Sequence, residues 1–256
     1  MSERQAYVPG TPCWVDLSTE DTVAAVDFYR GLLGWEPSWT EDLSRGVFRK
    51  GGKIVAGIVR TTGEDIAATW NTYITSRDLA ATSAKVLQAG GQVLVPATAV
   101  LDSGITATFA DLEGVRIRAW EPIRHHGAEI VNERGAWSWS ELNTRDSGKA
   151  MAFYPDVFGW RPEENVGTAG YIDWRVGGKF VGGMMDMPSY VSPDVPPQWL
   201  NTFVVDDVDL AAKTVLELGG EQQRPFADFP TAGRVGIFSD VVGAGFALIS
   251  GLTEHF

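Results

Sequence analysis

Three short stretches of alternating sequence gather the side chains that could do chemistry. Residues two apart on a strand share a face. Trp14, Asp16 and Ser18 therefore project together, as do Asn71, Tyr73 and Thr75, and Arg116, Arg118 and Trp120. Asp16 and Arg118 could form an acid/base dyad or a substrate clamp. They could equally form a buried ion pair that needs no ligand, since buried charges are normally paired. A second set reads Trp139, Glu141, Asn143, Asn201, Phe203, Ala247 and Ile249 and is more apolar. Glu141 has no evident Arg partner in that set. Desolvated, its pKa would rise and suit general acid or base work. In solvent it would be an ordinary surface acid. Trp and Tyr walls with a few polar groups favour a flat, conjugated small molecule.

Composition narrows the classes. The chain has 256 residues, 44% hydrophobic and 21% charged, which is ordinary globular usage and fits one or two domains. A net charge of -12 argues against nucleic acid or anionic membranes as partners. The polar start and the absence of a run of ~18 apolar residues point to a cytoplasmic protein with no membrane span. One cysteine, Cys13, excludes an internal disulfide and a Cys-rich zinc site. The three His leave little for imidazole sites, and His125-His126 read as solvated.

The elements that must position these residues come from a repeat. Residues 10–37 and 135–162 are identical at 11 of 28 positions, among them Trp14/Trp139, Leu17/Leu142, Phe28-Tyr29/Phe153-Tyr154 and Gly34-Trp35/Gly159-Trp160. GGKIVAG at Gly51 returns as GGKFVGG at Gly177, WNTYI at Trp70 as WLNTFV at Trp199, and Phe109, Asp111 and Gly114 as Phe238, Asp240 and Gly243. Each copy reads as βαβββ twice, with helices stopped at Gly34 and at Gly90-Gly91. The Gly-Gly pairs are hairpin turns, since no strand–Gly-rich loop–helix order surrounds them.

Four βαβββ modules, with FYRGLLGW after the first helix and DLEGVRIRAWEP closing the first copy, resemble the vicinal oxygen chelate superfamily of glyoxalases, bleomycin-resistance proteins and extradiol dioxygenases. GTPCWVDLSTED and WNTYI are similar to its tandem actinobacterial glyoxalase-like subgroup, which includes a mycobacterial culture-filtrate antigen and antibiotic-cluster proteins. The resemblance implies an α+β fold of two tandem domains, 1–124 and 132–256, each curling into a U-shaped cleft. It also implies metal ligands, a His or Gln on a module's first strand and a Glu on its last. At those positions stand Trp14, Asn71 and Arg118, then Trp139, Asn201 and Ala247. Trp has no available lone pair, Arg stays protonated and Ala offers nothing.

The sequence therefore leads to a metal-free, cofactor-free cleft for a planar aromatic or polycyclic metabolite, in antibiotic biosynthesis or tolerance, on a monomer or homodimer. Binding alone is one form of this, and acid/base catalysis by Glu141, Asp16 and Arg118 is another. The rivals are a metal-dependent glyoxalase- or dioxygenase-like enzyme and a protein–protein module with filled clefts. The ligand is expected in the C-terminal cleft. There Ala247 leaves room, Glu141 is uncompensated, and Trp139 and Phe203 form walls with Asn201 nearby. Trp14, Asn71, Tyr73 and Trp120 line the N-terminal cleft.

Overall fold

The computed structural model describes residues 3–62, 67–229 and 233–251. The first module is β1 (Pro12–Thr19), α1 (Thr22–Leu33), β2 (Glu36–Trp39), β3 (Arg45–Lys50) and β4 (Lys53–Arg60). The second is β5 (Thr69–Thr75), α2 (Leu79–Gln88), β6 (Gln92–Val100), β7 (Gly104–Ala110) and β8 (Arg116–Pro122). The second repeat opens with β9 (Trp137–Thr144), α3 (Ser147–Phe158), β10 (Arg161–Glu164), β11 (Tyr171–Val176) and β12 (Lys179–Asp186). It ends with β13 (Gln198–Val204), α4 (Val208–Glu217), β14 (Glu221–Gln222), β15 (Ala227–Phe229), β16 (Gly233–Ser239) and β17 (Gly245–Ser250). Three modules are plain βαβββ; the last breaks its second strand into β14 and β15.

All four helices start the same way. Asp21, Asp78, Asp146 and Asp207 each accept a hydrogen bond from the backbone N–H three residues on, satisfying one of the orphan donors of the first turn. α1 and α3 stop at Gly34 and Gly159, whose φ of 71° and 74° is the left-handed conformation a Cβ disfavours.

Modules pair within a repeat. The strand orders are β2-β3-β4-β1-β5-β8-β7-β6 and β10-β11-β12-β9-β13-β17-β16-β14. β1 runs parallel to β4 and antiparallel to β5, so the first strands of two modules meet at the middle of each sheet. One face of that seam carries Trp14, Asp16, Asn71 and Tyr73. The other buries Cys13, Val15, Leu17 and Trp70.

The hydrophobic cores do not respect the repeats. One joins α1 residues such as Phe28 and Tyr29 to Val208, Ala212 and Phe246 of the last module. The other joins Leu79, Val86 and Ile117 to Phe153, Tyr154 and Trp160. Each core is sealed by a buried tyrosine that reaches across. The Tyr29 hydroxyl donates to Asp240 Oδ2 at 2.7 Å, and that of Tyr154 to Asp111 Oδ2 at 2.8 Å. Trp35 Nε1 donates to the Gly135 carbonyl at 2.7 Å and Trp160 Nε1 to that of Gly10 at 2.5 Å.

Candidate functional site

In the N-terminal cleft, Asp16 is 3% exposed and fully engaged. Its Oδ1 accepts from Asn71 Nδ2 at 2.8 Å and lies 3.5 Å from Arg118 Nη1. Its Oδ2 accepts from the Tyr73 hydroxyl at 2.5 Å, and that hydroxyl oxygen accepts from Arg118 Nη1 at 2.7 Å. Tyr73 is thus wedged between the two charges. Burial, then the Asp16 charge, hold its phenol well above the ordinary range, against the pull of Arg118. Asp16 and Arg118 do meet, as an ion pair relayed by a neutral phenol.

Beside this cluster is a cavity of about 260 Å³. Trp14, Trp39, Trp120, Tyr73 and His125 supply its aromatic walls, Arg45 and Arg49 its basic groups, and Gly57 its floor. Gly57 lies opposite Asp16 in the β1–β4 register. A Cβ there would come within 2.8 Å of Asp16 Cβ and 2.9 Å of Trp14 Cζ2, so only glycine lets Trp14 lie down.

His125 is, with Trp39, a wall that sequence reasoning missed. Expected in solvent on the linker, it packs edge-on to Trp14 with centroids 4.4 Å apart, and its carbonyl accepts from Trp120 Nε1 at 2.7 Å. Burial, only partly offset by the Glu129 charge, lowers its pKa to about 4, so the ring is neutral at neutral pH. The linker folds back because Ala128 and Glu129 donate their N–H groups to the Cys13 and Ile54 carbonyls. Gly127, at φ 122°, permits that close approach, since a Cβ there would collide with the Cys13 carbonyl.

The C-terminal cleft departs from expectation in three ways. First, Asn201 and Phe203 do not line it. β9 pairs Glu141 with Leu200, as β1 pairs Asp16 with Asn71, so Leu200 is the true counterpart of Asn71. Matching Asn201 to Asn71 slipped the strand by one residue, which turns every side chain to the opposite face. Asn201 Oδ1 instead accepts from Ser140 at 2.6 Å and from Thr72 of the other repeat at 3.0 Å, and Phe203 is buried among Tyr29, Trp35 and Trp70.

Second, Glu141 is not uncompensated. Asn143 Nδ2 donates to it at 3.2 Å and the Tyr171 hydroxyl donates as well. Burial still raises its carboxyl pKa, opposed by these two donors and by the Arg224 charge. Third, the space left by Ala247 does not make this cleft vacant. Tyr171 folds over Gly183, where a Cβ would collide with its ring, and accepts from Trp139 Nε1 at 2.8 Å. Tyr171 faces Met185 on β12 as Arg45 faces Val59 on β4, and Gly183 and Gly57 hold matching places beside Glu141 and Asp16. Tyr171 and Arg45 are therefore equivalent positions. One fills its cleft, and the other stays at the mouth of an open one.

The cleft residues do not suit a divalent metal. Both Asp16 oxygens are occupied, a guanidinium stands beside them, and no group of three His, Cys, Asp or Glu side chains converges among the described residues. A larger hollow of about 520 Å³ lies elsewhere, between α1 and α4. It is lined by helix ends, backbone and the Arg134–Asp206 ion pair, with no aromatic side chain, and is a groove between repeats.

The family model described as Glyoxalase/Bleomycin resistance protein/Dioxygenase superfamily matches residues 13–119 and 138–248. A Mycobacterium tuberculosis protein named "Putative glyoxylase CFP32" is 36% identical over 265 residues, covering 97% of this chain and 98% of its own. The anthracycline biosynthesis protein DnrV of Streptomyces peucetius is 33% identical over 262 residues, covering 95% and 94%. Among solved structures, the Mn(II)-bound glyoxalase from Novosphingobium aromaticivorans aligns at a TM-score of 0.67 and 18% identity, covering 100% of this chain and 87% of its own. The 2,3-dioxygenase LapB from Pseudomonas sp. KL28 aligns at 0.66 and 14%, covering 96% and 93%. At those identities the structural likeness speaks for the fold alone. A family model on both repeats, and relatives a third identical along nearly their whole length, place the chain in the Glyoxalase/Bleomycin resistance protein/Dioxygenase superfamily, as a tandem member with one open and one filled cleft.

Proposed function

We propose that the protein binds a planar, partly polar small molecule in its N-terminal cleft without a metal, serving the biosynthesis or tolerance of an aromatic secondary metabolite. The observation that carries this is the 260 Å³ cavity walled by Trp14, Trp39, Trp120 and Tyr73 beside an already saturated carboxylate. Typical small-molecule sites span roughly 300–1,000 Å³, so this one suits a small aromatic, or one end of a polycycle whose remainder projects outward. The metabolite class follows the two anthracycline biosynthesis relatives.

In this reading Asp16, Tyr73, Asn71 and Arg118 brace the wall and do not transfer protons. Both Asp16 oxygens already accept hydrogen bonds and the Arg118 guanidinium stands beside them, so the carboxylate is spent on the wall. Tyr171, hydrogen-bonded to Glu141 and folded over Gly183, keeps the second cleft closed. The test is a fluorescence titration with a panel of polycyclic aromatics, alongside elemental analysis. Micromolar quenching and no stoichiometric metal are expected. Trp14→Ala should weaken binding by about 1–3 kcal/mol, the scale for losing a large aromatic anchor. A bound transition metal, or a panel without effect on a folded protein, would overturn the reading.

A further inference from the structure

We propose that the ligand of the N-terminal cleft is an aromatic acid, its ring against Trp14 and Trp39 and its anionic group on the guanidinium of Arg45. This rests on the cleft being the binding site and adds the charge class of what it takes.

The argument begins with charge. The whole chain carries -12, yet the cavity lining holds Arg45 and Arg49 against a single acid, Asp16, which Arg118 already pairs. The acids that flank the lining are engaged elsewhere: Asp42 within its own turn with Thr40 and Ser44, Asp102 with Arg124, and Glu129 with the Ile54 N–H. His125, neutral, adds no charge to the balance. Charges farther away than the Debye length, about 8 Å at physiological salt, are largely screened, so the local cations decide what enters.

Geometry selects Arg45 between the two. Arg49 donates Nη1 to the Gly52 carbonyl at 2.9 Å and is tied to its own hairpin. The Arg45 guanidinium makes no ion pair or hydrogen bond with any side chain among the described residues. Tyr171, at the equivalent position of the other repeat, crosses Gly183 to the first-strand acid; over Gly57 the Trp14 ring lies instead, so Arg45 stays at the cavity wall beside that ring. An unpaired guanidinium at the wall of a ring-sized hollow suits a carboxylate or phenolate on a flat ring, for which its fork supplies two parallel donors.

The experiment compares naphthalene-2-carboxylate with its uncharged carboxamide by calorimetry. The carboxylate should bind the native protein at least tenfold more tightly. Arg45→Gln should bring the two within about twofold, Arg45→Lys should keep most of the preference, and the melting temperature should not move, because the side chain is exposed. Raising the salt tenfold should shrink the preference. Equal binding of both probes, or a preference that survives Arg45→Gln, overturns this inference and leaves the site reading intact. Binding of neither probe to the folded protein overturns both.

Discussion

His125 illustrates how a single side chain changes meaning with its surroundings. In an unfolded chain its imidazole titrates near 6.5, whereas in the fold burial lowers it to about 4. The folded state therefore binds fewer protons between those values, and stability is full above about 6.5 and is lost as pH falls towards 4. The shift corresponds to roughly 3 kcal/mol. His125→Phe, which keeps the ring against Trp14, should flatten that part of the pH–stability curve measured by urea unfolding. A native-like slope in the variant would place the acid sensitivity elsewhere. The residue types of the walls were legible in the sequence, because alternation puts Trp14, Asp16, Asn71, Tyr73 and Arg118 on one side. His125 was not legible, since its place depends on the linker returning to Cys13 and Ile54, contacts of long sequence separation. Tyr171 was hidden for a similar reason. It enters the second cleft from β11, and its counterpart Arg45 gives no local hint that one turns in and the other stays out.

At the scale of elements, both clefts depend on a glycine in the strand beside β1 or β9. Gly57→Ala is expected to cost about 1–3 kcal/mol, because the new methyl meets Asp16 and Trp14 within 3 Å and an interior this dense cannot absorb it. It should also push Trp14 into the cavity and weaken any ligand. Thermal unfolding and a binding titration read the two effects separately, and loss of stability with unchanged affinity would count against the cavity as the site. Element order was the most legible feature, since the repeated Trp, Phe-Tyr and Gly-Trp marks fall at structurally equal positions. Register was the least. WNTYI against WLNTFV can be matched on Trp or on Asn, and period two makes the second choice exchange core for cleft. The pairing of Glu141 with Leu200 decides for Trp.

The whole molecule is built on two cores, each shared between the repeats. Removing the Tyr29 hydroxyl strands both Asp240 Oδ2 and the Trp70 Nε1–H, which donates to it at 2.7 Å. With each unsatisfied buried group costing about 1–3 kcal/mol, Tyr29→Phe should lose roughly 2–4 kcal/mol. Tyr154→Phe, which strands Asp111 and Trp199, should cost a similar amount. Both should shift a single unfolding transition, because each core draws on both repeats. Two separated transitions would mean that the repeats fold alone.

The crossed tyrosines also bear on ancestry. Tyr29 and Tyr154 are one position of the repeat unit, and Asp111 and Asp240 are another. Each unit thus gives its Tyr to the other's Asp and receives the reciprocal contact, the pattern of an isologous interface with two-fold symmetry. A free-standing unit bearing both residues would find its complement in an identical copy. The covalent chain then resembles a homodimer whose subunits were fused end to end. Once fused, the two clefts no longer had to stay alike, and one could be plugged by Tyr171 while the other remained open.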